Sequence, residues 1–246
     1  VQGSSLDNKI FNGLCKLNML EHILLENSKL KGDINDLLRN KKVRILFLER
    51  AEINGIKELK LNKKSVEAVG FSELKNISID DIENIVDSSS ISALSISSIK
   101  KERKKSFKCT YLSDLERLIL ELTKIKSIDL ENCLIIPNLN YLSLSSNKLE
   151  KIYFDQNSLL NINYLDLSFN NFQDFPKEIL EMKNIKKLFL MGNPLNDVPE
   201  GISNLEKLEE LSLPFRITKE RIEELKAKLP NCKIYQTPFK PRGRYL

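Results

Sequence analysis

The sequence predicts an α/β solenoid: short parallel strands stack into a curved wall, helices close its N-terminal end, and a helix and strand close its C-terminal end. Three observations carry this expectation. Apolar residues recur at a 23-residue period through the second half of the chain. Within each period they alternate briefly with polar ones, as in Leu142-Ser143-Leu144-Ser145 and Leu165-Asp166-Leu167-Ser168, which is the pattern of a short strand with one buried face. The flanks carry helical signals instead. At 246 residues, 41% hydrophobic and 30% charged, the chain is neither disordered nor collagen-like.

Residues 1–42 are expected to form an N-terminal helical cap, with Val1 to Ser5 reading like a vector-derived leader. Leu6, Ile10, Leu14, Leu17, Leu20 and Leu24 fall at three- and four-residue steps, which predicts an amphipathic helix over 6–26. A second helix is expected near Ile34 to Arg39. A solenoid's first strand exposes both its edge and the core beneath, so a covering element belongs there. A membrane-surface helix is the competing use of the segment. The solenoid is assigned to residues 43–215. Its first half contains Val43-x-x-Leu46-x-Leu48, Ile56-x-x-Leu59-x-Leu61, Leu74-x-x-Ile77-x-Ile79 and Ile91-x-x-Leu94-x-Ile96 as expected strands at uneven spacing. The last three carry Lys64, Ile82 and Ile99 after the strand, so those turns need a closure that uses no side-chain amide.

The second half is regular. Leu139-x-x-Leu142-x-Leu144-x-x-Asn147-x-Leu149, Ile162-x-x-Leu165-x-Leu167-x-x-Asn170-x-Phe172 and Ile185-x-x-Leu188-x-Leu190-x-x-Asn193-x-Leu195 align without gaps, flanked by copies starting at Leu115 and Leu208. Two turns continue as Phe175-Pro176-x-x-Ile179 and Val198-Pro199-x-x-Ile202. Such a leucine triad is buried only if the next turn stacks on it. A buried amide both donates and accepts, so Asn147, Asn170 and Asn193 are expected to form a structural ladder where the chain leaves each strand. The pattern resembles the leucine-rich-repeat (LRR) family, in particular the 23-residue LPxxI type of bacterial LRR proteins and Ras-group LRRs, most closely over residues 115–215. The resemblance implies an LRR solenoid with its strands on the concave face. It further implies either a bacterial secreted or surface-attached host-interaction protein or an intracellular scaffold. Residues 216–246 are assigned to a C-terminal cap and loose tail: a helix from Thr218 to Leu229 stopped by Pro230, the strand Cys232 to Tyr235, and a tail after Thr237.

Composition narrows the chemistry. A net charge of +5 spread over both halves argues against a dedicated nucleic-acid binder. One histidine, His22, and four scattered cysteines remove histidine-based triads and most zinc sites. Glycines are too far apart for a phosphate-cradling loop. No catalytic residue, metal or cofactor is expected, and an LRR-bearing enzyme is disfavoured because little chain follows the last repeat. No apolar run is long enough to span a membrane. Lys9, Lys16 and Glu21 interrupt any signal-peptide layout, so secretion would require a signal removed upstream and the other compartment is cytoplasmic. Lys100, Lys101, Arg103, Lys104 and Lys105 form a basic run, read as a solvated loop or as a contact for phosphate or an acidic partner. Cys109 and Cys133 are expected to lie one above the other on adjacent coils, bridged or as buried thiols.

Positions three, five, seven and eight of each turn should face outward on the concave wall. Early turns place polar rows there, among them Glu58, Lys60 and Asn62, then Asn76, Ser78 and Asp80, then Ser95, Ser97 and Ser98. Later turns place Ile119, Leu122, Tyr141, Tyr164, Phe169, Phe189, Met191 and Phe215. These large apolar residues are expected to form a contiguous patch that binds a protein partner non-enzymatically, with homodimerisation or coverage by the C-terminal tail as alternatives.

Overall fold

The computed structural model describes residues 5–6, 8–39, 42–62, 64–87, 90–99, 112–130, 136–154 and 160–236. The N-terminal half contains β1 (Ser5–Leu6), α1 (Asn8–Cys15), β2 (His22–Glu26), β3 (Lys29–Asp33), α2 (Ile34–Leu38), β4 (Ile45–Glu49), β5 (Glu52–Asn54), β6 (Ala68–Ser72), α3 (Ile79–Val86) and β7 (Ala93–Ser97). The C-terminal half contains β8 (Arg117–Glu121), β9 (Ser127–Leu130), β10 (Tyr141–Ser143), β11 (Lys151–Phe154), β12 (Tyr164–Asp166), β13 (Lys187–Phe189), β14 (Glu210–Leu213), α4 (Lys219–Lys228) and β15 (Lys233–Gln236). One ten-stranded sheet runs β2-β4-β6-β7-β8-β10-β12-β13-β14-β15, entirely parallel and in chain order. Each strand before the closing β15 turns two apolar residues inward, for example Leu46 and Leu48 or Leu188 and Leu190, all essentially inaccessible. A third apolar residue just before the strand, such as Val43 or Ile185, completes the buried layer, so the core runs the length of the stack.

The first half departs from its sequence reading. Paired strands show that the coils start at Leu20, Val43, Val66, Ile91 and Leu115, so the period stays between 23 and 25 residues throughout. Ile56 and Leu74 do not start strands. Ile56–Glu58 is a 3-10 turn, and the Ile79 of the third expected strand begins α3 instead. There Ser78 caps the helix reciprocally, its hydroxyl accepting from Asp81 N at 3.2 Å and its own N–H donating to Asp81 at 2.9 Å. Ile79, Ile82, Ile85 and Val86 then bury at helical spacing. The strand missed is Val66-x-x-Val69-x-Phe71, obscured by Gly70. That glycine is needed for space, since a Cβ there would lie 2.2 Å from the ring of Phe47 on the neighbouring strand.

The expected helix over 6–26 is likewise shorter, ending at Cys15, and its last residues form the first rung of the main sheet. Ile23 and Leu25 point inward while Ile10, Leu17 and Leu24 of the expected stripe are exposed, and its Leu14 and Leu20 pack only partly against the core. The alternation His22 to Glu26 lies in register with β4, and ladder pairing outweighs the coincidental helical spacing. Phe11 anchors α1 instead, its ring filling the space above Gly32.

Turn closure differs between the halves. In early coils Ser28, Ala51, Leu74 and Ile99 occupy the column that asparagine holds later. After Ser28 and Ala51 the chain runs into a second parallel sheet, β1-β3-β5, whose backbone groups pair from coil to coil, beginning with Glu52 N to Ser28 O at 2.9 Å, whereas after Leu74 it leads to α3. In later coils, buried amides close the turn. The Asn170 side chain donates to Leu144 O at 2.9 Å and Leu167 O at 3.0 Å and accepts from Leu149 N at 3.0 Å. Asn193 donates to Leu167 O and Leu190 O and accepts from Phe172 N. Asn147 donates to Leu120 O and Leu144 O and accepts from both the N–H and the hydroxyl of Thr123. Every such amide ties its own coil to the preceding one.

A second column is equally regular. The residue just before the asparagine position has positive φ in eight coils: Asn27, Arg50, Glu73, Ser98, Leu122, Ser146, Phe169 and Gly192. For a non-glycine residue this left-handed conformation costs roughly 1–2 kcal/mol. It turns the N–H along the sheet to the next coil, as from Ser146 to Ser168 O at 2.9 Å and Phe169 to Met191 O at 2.8 Å.

On the convex side Pro176 and Pro199 precede 3-10 helices that bury Ile179 and Ile202. After the last repeat, Thr218 caps α4 through Arg221 N. The largely buried Arg221 guanidinium pairs with Asp197, Glu200 and Glu224 and donates to Val198 O, tying α4 to the preceding coil. Cys109, Cys133, the basic run at 100–105 and the tail after residue 236 lie outside the described residues. Among the described residues, no helix is long and apolar enough to cross a membrane.

Candidate functional site

Parallel in-register pairing places equivalent residues of successive coils about 4.8 Å apart. Outward side chains therefore line up in columns on the concave wall. Tyr141 pairs with Tyr164 across β10 and β12, and their rings stack with centroids 4.0 Å apart and planes 9° apart. Phe189 on β13 stands diagonal to Tyr164 and meets it at 5.3 Å, tilted by 47°. On the other side Arg117, the register partner of Tyr141 on β8, lays its guanidinium 3.9 Å from the Tyr141 ring centroid. An exposed cation and three half-buried rings from four adjacent strands thus form one ridge.

The remaining apolar candidates are distributed differently. Ile119 is flanked in register by Ser95 and Ser143, and Met191 stands in register with Ser168. Leu122, Phe169 and Phe215 belong to the column at the turn, with Ser146 and Gly192 between them. Leu122 and Phe215 are exposed, the latter with Arg216 at 6.0 Å, whereas Phe169 lies across Gly192. The structure thus joins Tyr141, Tyr164 and Phe189 in one ring stack and sets Leu122, Phe169 and Phe215 apart at the turn. Sequence reasoning missed Leu24 and Phe47, exposed on the concave face of the first two coils. The signal was present in Leu20-x-x-Ile23-x-Leu25, expected to be helical, and in the strand Val43-x-x-Leu46-x-Leu48, whose expected register already turns Phe47 outward.

Two carboxylates stand beside the ring stack. Glu121, at the end of β8, accepts from the Ser143 hydroxyl at 2.6 Å. Asp166, between Ser143 and Phe189 in register, accepts from Ser168 N at 2.8 Å. Burial raises the Asp166 carboxyl above its ordinary value, the Ser168 hydrogen bonds oppose this, and the charge of Glu121 adds to the rise. Burial also raises the Tyr164 phenol, reinforced by its hydrogen bond with Tyr141 and by the charges of Asp166 and Glu121. Among the described residues neither Glu121 nor Asp166 forms an ion pair, while nearby Glu210 is held by Lys187 at 3.1 Å and by the Tyr235 hydroxyl at 3.0 Å. His22 is exposed on the edge strand β2.

A groove of about 640 Å³ lies at the strand ends of the early coils, lined by Ser28, Arg50, Glu52, Glu73, Leu74 and Lys75, where the asparagine ladder is absent. Among the described residues, no three His, Cys, Asp or Glu side chains converge where they could hold a metal ion.

This architecture is that of the leucine-rich-repeat fold, an α/β solenoid with its parallel strands in one long sheet. A leucine-rich-repeat protein of Leptospira interrogans is similar in structure, with a TM-score of 0.51 at 20% identity over 90% of this chain and 68% of that one. A leucine-rich-repeat protein of Bacteroides thetaiotaomicron is similar with a TM-score of 0.53 at 16% identity, over 92% of this chain and 35% of that one. No protein-family model and no curated protein matches the sequence.

Proposed function

We propose that the protein is a non-enzymatic binding module that holds a partner protein against its concave wall, with Tyr141, Tyr164 and Phe189 as anchors. The observation that carries this reading is the ring stack on adjacent strands, half-buried and turned away from the core. Aromatic residues dominate interface energetics, and burying one removes about 150–250 Å² from water. At about 25 cal/mol per Å² that is several kcal/mol per ring before association costs. Ile119, Leu122, Phe169, Met191 and Phe215 extend the contact around these anchors, and the concave curvature presents them to one ligand. The fold supplies such a surface without specifying its ligand.

The finer assignment is to the LPxxI repeat type, supported by Pro176 and Pro199 opening the convex 3-10 turns. That type fits a secreted or surface-attached bacterial protein that contacts a host, with an intracellular scaffold as the alternative. The decisive experiment is affinity capture on the wild-type chain beside a Tyr164→Ser/Phe189→Ser variant. Both substitutions leave the buried leucine columns untouched, so the variant should fold and lose the partner. A partner retained with unchanged affinity rejects the reading. Light scattering of the free protein tests self-association through the same wall, and fractionation of cells producing the full-length gene product tests secretion.

A further inference from the structure

We propose that the concave wall recognises a cationic side chain, that of an arginine in an exposed segment of the partner protein, which pairs with Glu121 and Asp166 while its guanidinium lies against the Tyr164 and Phe189 rings. This rests on the binding reading above and specifies what the wall selects. The other charges of the neighbourhood are already engaged: Lys187 with Glu210 at 3.1 Å, and Arg117 on the Tyr141 ring at 3.9 Å. Glu121 and Asp166 are different. Each is held by a neutral donor, the Ser143 hydroxyl at 2.6 Å and Ser168 N at 2.8 Å, and among the described residues neither has a cation within ion-pair distance.

Their placement suits a planar cation. In register, Asp166 stands between Ser143 and Phe189, and Glu121 reaches the same Ser143, so the two carboxylates flank one serine on the wall that bears the rings. A guanidinium offers a flat face for an aromatic ring and a fork of donors for carboxylates, and it is more weakly hydrated than an ammonium. The protein already uses this pairing with Arg117 on the Tyr141 end of the stack. The raised Asp166 carboxyl agrees with the geometry, because an arriving cation would relieve the burial and like-charge repulsion that cause it. A polyanion such as nucleic acid or an acidic membrane surface would meet two uncompensated negative charges here. A protein segment carrying arginine would not.

The test uses a phage-displayed random-peptide library selected on the intact wild-type chain, followed by calorimetry with synthetic copies of the enriched peptides. Glu121→Gln/Asp166→Asn preserves both hydrogen-bond acceptors and removes only charge, while Tyr164→Ser/Phe189→Ser removes the rings; circular dichroism checks that both variants fold. The expected result is enrichment of arginine-bearing peptides, with affinity reduced about tenfold or more by either variant and by replacing the peptide arginine with glutamine, as for loss of a charge-assisted contact. If affinity falls on the ring variant but not on the charge variant, the binding wall stands and the cation proposal is overturned. If it falls on the charge variant alone, a cation site exists away from the rings and the proposal as stated is overturned. Binding indifferent to both variants, peptides enriched without arginine, or no enrichment above background also overturns it.

Discussion

Replacing Asn170 by alanine probes the device that closes the later coils. Its amide serves Leu144 O at 2.9 Å, Leu167 O at 3.0 Å and Leu149 N at 3.0 Å, and the residue is 4% exposed. Alanine orphans the Leu149 N–H in a site closed to water, while Leu144 O keeps the Asn147 amide and Leu167 O keeps the Asn193 amide, so each carbonyl loses one of two donors. The orphaned N–H costs about 1–3 kcal/mol and each lost carbonyl bond about 0.5–1.5 kcal/mol, so the loss should be about 2–5 kcal/mol. Domains of this kind are stable by about 5–15 kcal/mol in total, which makes the change a large fraction of the whole. For a chain of this size the corresponding fall in Tm is roughly 5–20 °C. Urea unfolding followed by circular dichroism, with thermal melts alongside, measures it. Asn147→Ala should cost at least as much, since its oxygen accepts from both the N–H and the hydroxyl of Thr123. An Asn170→Ala protein within about 1 kcal/mol of wild type would refute the reasoning, because it would mean that these groups find other partners freely.

Further outcomes follow from the same structure. Asp166→Asn should raise Tm at neutral pH: a carboxyl whose folded pKa is raised contributes its stability below the unfolded pKa and loses it as pH rises through the folded value, so the gain should vanish by about pH 3. A gain that persists unchanged at low pH would contradict this origin. At alkaline pH, burial and then Glu210 push the Cys232 thiol up to about 11, and burial followed by the hydrogen bond and charge of Glu210 pushes the Tyr235 phenol up to about 12. The stability from both groups is complete below about pH 9 and is lost as pH climbs toward these values, so urea midpoints should fall over that window. Cys232→Ala should flatten the first part of the fall, and midpoints constant to pH 11 would exclude it. Gly192→Ala should cost about 1–3 kcal/mol, because φ is +72° and the new Cβ would lie 2.5 Å from Phe169 Cδ1. Urea titration resolves that loss from no effect.

The second half of the solenoid was legible because its signals are redundant: three leucines and an asparagine per turn, repeated in phase, fix strand, face and turn together. The first half lacked that redundancy. With Ala51 and Leu74 in the asparagine column and Gly70 inside β6, the true 23-residue register competed with the Ile56 and Leu74 triplets, which belong to a 3-10 turn and to the approach to α3. The segment before Val43 misled for a similar reason, since leucines that serve a helix turn, a coil start and an exposed strand position happened to fall at helical spacing. For the site, the outward columns could be read as soon as the register was right. The stacking of Tyr141 on Tyr164 could not, because it depends on side-chain rotamers. Arg117, Glu121 and Asp166 were overlooked because a lone charge at an outward position has the signature of ordinary solvated surface. Their significance comes from which charges are paired across strands, and that is a property of the assembled wall.

The claim that the concave ring column meets a protein partner is tested most directly by hydroxyl-radical footprinting of the wild-type chain, free and bound to a partner captured on it. Tyr153 on β11 is 45% exposed and lies outside the ring column, so it serves as an internal reference. The account predicts that oxidation of Tyr141, Tyr164 and Phe189 falls in the complex while that of Tyr153 is unchanged. Protection of Tyr153 with the three rings oxidised as in the free protein would place the interface elsewhere and contradict it.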